Sequence, residues 1–297
     1  MYVLVENINQ LELVGDTSGN HDTIIQCDRK GSGGFIFVNA TDIQIRNLTF
    51  LNCGQDLTFD VSILCNVSCR AAIAFDTIDK LLISSITVNY SSGWGVYAKR
   101  VFGSSSVADS TFSYNVGTSK YDGGNVAFLY SDCSAHASDT FLSLSSLEIL
   151  YGYTDSSVAP GLSLILECTH INVSISNVVM SGNIANSTSG STGGNIAIIY
   201  RNYTDLVVNF VTVQDCYIAD GSAYQGGGMF VSILEASPAS TFPANSTQTI
   251  VQSLHVSNTQ FIGNHAWHVA GGVYVIMHEM PYVYGVTGEF IFENCSF

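Results

Sequence analysis

The chain has 297 residues, 46% of them apolar, with nine Lys and Arg against 24 Asp and Glu, a formal charge of −15. Disorder needs low hydrophobicity and high charge, and long helices need abundant Ala, Glu, Lys, Leu and Arg; a charged fraction of 11% excludes both. Phosphate neutralisation needs clustered cations, so nine scattered ones in an acidic chain exclude nucleic acid as a partner.

Along the chain one pattern recurs: apolar-x-apolar-x-polar-apolar-x-apolar. It starts at Ile43, Leu81, Ser105, Leu142, Val173, Val211, Leu254 and Phe290. Each copy reads as two short strands with one buried face. Between them the alternation slips by one residue. At the slip stand Asn47, Ser85, Asp109, Ser146, Asn177, Asp215, Asn258 and Asn294, all small and polar. A one-residue bend demands left-handed backbone, which Asn and Asp tolerate best after Gly. These residues are therefore expected to be structural corners.

A second signal follows several copies. The pairs Gly33-Gly34, Gly123-Gly124, Gly193-Gly194, Gly227-Gly228 and Gly271-Gly272 lead into alternating strands such as Val126/Phe128/Tyr130. An apolar-x-x-Asn precedes three of them, as Phe112 to Asn115, Met180 to Asn183 and Phe261 to Asn264. A unit of three short strands cannot bury its apolar face alone, but stacked units can. The spacing predicts an all-β chain folded as a parallel β-helix (β-solenoid) of about nine to ten rungs. Right-handed winding follows from the usual hand of such crossovers. One domain is expected over residues 1–297. No polar unit caps either end, so the chain is expected to be a segment of a longer protein, with any leader or anchor outside it.

No apolar run reaches the length of about 20 residues that a bilayer span needs. Nine N-x-Ser/Thr sequons start at Asn39, Asn47, Asn66, Asn89, Asn172, Asn186, Asn202, Asn245 and Asn294. Chance predicts about four. Eight Cys, none at zinc-finger spacing, fit disulfides in an oxidising compartment, so an extracellular or cell-surface location is expected. Candidate pairs are Cys65 with Cys69, Cys133 with Cys168 and Cys27 with Cys53; the pairing stays open. Cys216 and Cys295 share the first inward position after a corner and read as stacked core thiols. Asn66, Asn186, Asn202 and Asn245 fall in inserted loops and are the glycosylation candidates. Asn47 and Asn294 are committed to corners.

Catalysis needs residue sets that do not assemble. No basic pair repeats at one face position, as a uronate lyase would need, and the negative charge repels anionic polymers. Asp109 and Asp215 share a corner position but lie three units apart. No catalytic residue, cofactor or metal is expected. His265 and His268, near His278 and Glu279, read as exposed loop residues rather than ligands. Tyr97, Tyr121, Tyr203, Tyr224, Tyr282 and Tyr284 include either exposed platforms for partners or rims of the interior, and the rim reading is preferred.

The coupling of Phe112 and Asn115 to Gly123-Gly124, and of Phe261 and Asn264 to Gly271-Gly272, resembles the repeat of chlamydial polymorphic outer-membrane proteins. The whole chain is similar to the right-handed β-helix regions, of pectate-lyase-like superfold, in large surface proteins of early-branching animals. Ser92-Gly93-Trp94-Gly95-Val96 and Gly193-Gly194-Asn195-Ile196 carry that likeness. The resemblance implies the fold, and through the bacterial proteins it implies adhesion. The expected function is a non-catalytic extracellular scaffold of a surface protein, serving adhesion or binding of a glycan or protein ligand, or acting as a spacer. The alternative is a carbohydrate-active enzyme, a polysaccharide lyase or glycoside hydrolase, of the same fold. A smooth groove of Asn and Ser favours the first, and three or more ionisable groups converging on one sheet favour the second.

Overall fold

The computed structural model describes residues 2–16, 23–27, 34–54, 71–117, 123–131, 139–155, 159–168, 170–187, 190–202, 206–236, 249–277, 286–287 and 289–297. Nine strands of a first sheet follow one another in chain order: Tyr2–Glu6, Gly34–Ala40, Ala71–Asp79, Trp94–Phe102, Gly124–Tyr130, Leu162–Leu166, Ile196–Asn202, Met229–Ala236 and Val273–Met277. All their pairings are parallel. Between consecutive members the chain crosses to a second parallel sheet, through strands such as Asp42–Leu51, Leu81–Asn89, Ser104–Ser113 and Thr140–Leu150. A third, shorter sheet takes Tyr153–Thr154, Ile184–Ala185, Ser222–Gln225 and His265–Val269. Each circuit is one rung, and the chain is a parallel β-helix. Rungs are numbered one to nine by their first-sheet strand.

The corners carry the fold as the alternation requires. Asn47, Ser85, Asp109, Ser146, Asn177, Asp215, Asn258 and Asn294 all have φ between 48° and 56°. The bend keeps both flanking strands facing the same interior. Apolar residues then stack in register: Ile45, Ile83, Val107, Leu144, Ile175, Val213 and Val256 form one buried column. Each such side chain contributes about 1.5–3 kcal/mol by leaving water. Phe37 stacks on Phe75 at 5.2 Å in the parallel column of the first sheet.

Three of the strands after the Gly-Gly pairs are covered on both faces rather than alternating between buried and exposed: residues 124–128, 196–200 and 229–233 are all buried, as are Ala71 through Phe75 in the same sheet. Outward-pointing Ile36, Ala74, Tyr97 and Ala127 join Trp94 in a second apolar cluster, and Ala159, Ala197, Ile199 and Phe230 form a third. A parallel strand covered on both faces tolerates apolar residues at every position, which hides its period. Tyr97 is 8% exposed within that second cluster, so it is no platform.

One corner is held by a ladder of amides, four buried and the last, Asn264, half-buried. Asn115 Nδ2 donates to Asn125 Oδ1 at 2.8 Å, Asn125 to Asn183 at 2.9 Å, Asn183 to Asn195 at 2.7 Å and Asn195 to Asn264 at 3.0 Å. Each of these amides also donates to a main-chain carbonyl: of Val88, Leu150, Ile149, Ala219 and Ile218 in turn. The ladder zigzags between two columns. In rungs four to eight one column reads Asn115, Gly152, Asn183, Gly221, Asn264, and its neighbour reads Gly95, Asn125, Gly161, Asn195, Gly228. Wherever one column carries Asn, the other carries Gly. A Cβ on Gly221 would stand 2.4 Å from Asn195 Nδ2, and one on Gly152 2.7 Å from Asn125 Nδ2.

Cys27 and Cys53 are joined by a disulfide that ties rung one to rung two. Cys168 is disulfide-bonded, while Cys65, Cys69 and Cys133 lie outside the described residues. Cys216 and Cys295 do share an inward column, but Thr259 stands between them, so the two thiols are not stacked on each other. Cys216 is 3% exposed, and burial pushes its thiol up to about 11. Alkylation of the native chain at about pH 8 is expected to label half-buried Cys295 at least roughly tenfold faster than Cys216. Peptide mass spectrometry reads the rates; equal labelling would show that rung seven opens as readily as rung nine.

Candidate functional site

Five residues after each corner the chain bends again, from the second sheet into the third. Positive φ recurs there at Asn52, Tyr90, Tyr114, Tyr151, Gly182, Asp220 and Gly263. Asn, Asp and Gly accept this conformation; a tyrosine in it costs about 1–2 kcal/mol. Yet rungs three, four and five all place Tyr there, at φ 60°, 56° and 52°. The main chain is fixed by Tyr90 N–H donating to Ser113 O, Tyr114 N–H to Leu150 O and Tyr151 N–H to Ser181 O, at 2.9–3.2 Å.

The three rings form a continuous stack. Tyr90 and Tyr114 centroids are 5.2 Å apart, and Tyr114 and Tyr151 4.9 Å, with interplanar angles of 13° and 19°. Tyr151 lies over Gly182, where a Cβ would meet its ring at 2.6 Å. Two stacking pairs return about 0.5–1.5 kcal/mol each, which does not clearly exceed the strain of three left-handed tyrosines. The rings remain 43–55% exposed. Backbone strain without a packing gain is characteristic of sites kept for binding.

Beside this edge lie Val116, bridged to the third sheet, and Ile184 within it, both exposed, with Tyr153 between them in register. Tyr153 donates its hydroxyl to Asp155 Oδ1 at 2.5 Å, which holds its phenol above the ordinary value, and accepts from Asn186 Nδ2 at 3.0 Å. The result is an aromatic and apolar strip with phenol hydroxyls along its rim. On the outer face of the second sheet lies a separate groove of about 440 Å³, lined by Ser, Thr and Asn with Leu, Val and two exposed phenylalanines, Phe141 and Phe210.

The expected positions distribute as follows. Asn186 is exposed just after Ile184–Ala185, and Asn202 ends the strand Ile196–Asn202. Asn66 and Asn245, and Tyr121, Tyr203, Tyr282 and Tyr284, lie outside the described residues. Tyr224 is half-buried and stacks on His268 at 4.8 Å, while His265 is exposed. No group of three or more His, Cys, Asp or Glu is placed to hold a metal ion among the described residues. Asp109 and Asp215 stand on rungs four and seven, roughly 14 Å apart. Inverting hydrolysis needs carboxylates about 6.5–9.5 Å apart, so the rung count itself separates them too far to act together. Tyr90, Tyr114 and Tyr151 are not among the expected positions. Their signal was available as the fixed five-residue offset from Ser85, Asp109 and Ser146.

Fold and edge together define a parallel β-helix protein with an aromatic outer corner. No protein-family model, curated protein or solved structure matches the chain. Among the described residues no helix is long and apolar enough to cross a membrane.

Proposed function

We propose that the chain is a non-catalytic extracellular β-helix scaffold of a surface protein, and that it serves adhesion by presenting its tyrosine edge to a neutral glycan. The observation that carries the reading is the exposed stack of Tyr90, Tyr114 and Tyr151 at strained positions. Phenols along a rigid edge offer apolar area and hydrogen-bonding tips at little entropic cost. The Cys27–Cys53 disulfide and the excess of sequons support an oxidising, extracellular setting.

The test is a glycan array probed with the full chain, with analysis of any products. Binding without turnover is the expected result, and Tyr114→Ala should weaken it at least about tenfold, as for a central aromatic contact. Depolymerisation of any glycan would overturn the scaffold reading. Unchanged binding by Tyr114→Ala would remove the tyrosine edge from it.

A further inference from the structure

We infer that Asn172 is a glycan acceptor whose first sugar seats between Phe141 and Phe210. Asn172-Val173-Ser174 is a sequon, and it lies in the strand Ile171–Ser176 with residues 172 and 174 both facing outward. In register, Asn172 pairs with Phe141 on one side and with Phe210 on the other. The two rings are 49% and 41% exposed on a face otherwise furnished with Ser and Thr. Such an apolar pair in the open calls for an occupant.

The spacing fits one ring. Phe141 and Phe210 stand two rungs apart, about 9–10 Å, with only the short Asn172 side chain between them. The tyrosine edge supplies the scale, because rings on consecutive rungs there sit 5.2 and 4.9 Å apart. A pyranose joined to Asn172 Nδ2 would take the middle place. Its C–H-bearing faces carry partial positive charge and would meet the negative faces of both phenyl rings. Ser143 and Ser174, in the same groove, can bond its hydroxyls. Two other sequon amides are committed elsewhere: Asn89 accepts from Ser113 and Asn294 donates to Asn258.

In the transfer, Asn172 Nδ2 attacks the anomeric carbon of a diphosphate-linked oligosaccharide. The carbon–nitrogen bond forms and the anomeric carbon–oxygen bond breaks. The diphosphate leaves with that electron pair, and the amide gives up one proton. The donor belongs to the secretory pathway, so the inference rests on the extracellular reading above.

The full chain is directed through the secretory pathway of cultured animal cells, and Asn172 and Asn186 are mapped by peptide mass spectrometry before and after enzymatic deglycosylation. Asn172 is expected to be occupied. Ser174→Ala, which abolishes the sequon without touching Asn172, should lower the melting temperature by about 2–4 °C. In a Phe141→Ser, Phe210→Ser background the same change should shift it by less than about 1 °C, since the sugar has lost its walls. Unmodified Asn172 beside modified Asn186 overturns the inference and leaves the extracellular reading intact. Both sites unmodified counts against both. An occupied Asn172 with equal Ser174→Ala shifts in the two backgrounds overturns the seating.

Discussion

Asn183→Leu is expected to destabilise the chain by about 3–6 kcal/mol. Four hydrogen bonds converge on this one amide. Its oxygen accepts from Gly152 N–H at 2.7 Å and from Asn125; its nitrogen donates to Ile149 O at 2.9 Å and to Asn195. All four partners lie away from solvent, so a leucine takes one hydrogen bond from each. An orphaned buried group costs about 1–3 kcal/mol, and the two neighbouring amides can recover part of that by turning. Denaturant midpoints measure the loss, and hydrogen exchange should locate it in rungs five to seven, because solenoid units couple mainly to their neighbours. A midpoint equal to the parent's would mean that the ladder is ornament. Asn183→Asp sharpens the test. It keeps the shape but replaces a donor by an acceptor, and burial raises the pKa of the introduced carboxyl above its unfolded value near about 3.9. The protonated form is the tolerated one, so this variant should be closest to the parent below that value and lose stability as pH rises through the folded pKa.

Gly221→Ala is the second large effect, about 3 kcal/mol or more. The added methyl would stand 2.3 Å from Gly227 O and 2.4 Å from Asn195 Nδ2. Gly221 itself donates its N–H to Asn264 Oδ1 at 2.9 Å, so the same displacement strains that bond too. Gly190→Ala is the control, because a Cβ there meets nothing within 4 Å. Its backbone, at φ 93°, still disfavours alanine, and a cost of about 1–2 kcal/mol is expected from that alone. The difference between the two substitutions measures crowding separately from conformation. Equal midpoints would show that the two columns can part without loss.

The corners were legible because two signals coincide there. A slip in the alternation marks the place, and Asn, Asp or Ser at Asn47, Asp109 or Ser146 states the conformation. The tyrosine edge was hidden for the opposite reason. Tyr90, Tyr114 and Tyr151 occupy a left-handed bend that tyrosine ordinarily avoids, so their identity argues against the structure they adopt. In the sequence Tyr97 stands between a platform and a rim residue, with the rim preferred, for another reason. Its strand is covered on both faces, and nothing in a run such as Trp94-Gly95-Val96-Tyr97-Ala98 separates an outward residue that meets solvent from one that meets more protein. The amide ladder was half visible. Asn115, Asn183 and Asn264 follow a spacing rule, but Asn125 and Asn195 sit on the other column, and only the register of the rungs brings the two sets together.

That alternation gives the array a parity. Rungs four to eight are built on a period of one, yet the amides impose a period of two along the axis. Excising rung six would set Asn125 directly against Asn195 and leave Gly152 facing Gly221 across a void. Excising rungs five and six together would restore the order, with Asn115 meeting Asn195 as it now meets Asn125. A solenoid of this kind gains or loses length most easily in even steps, so duplication and deletion along its lineage would be counted in pairs.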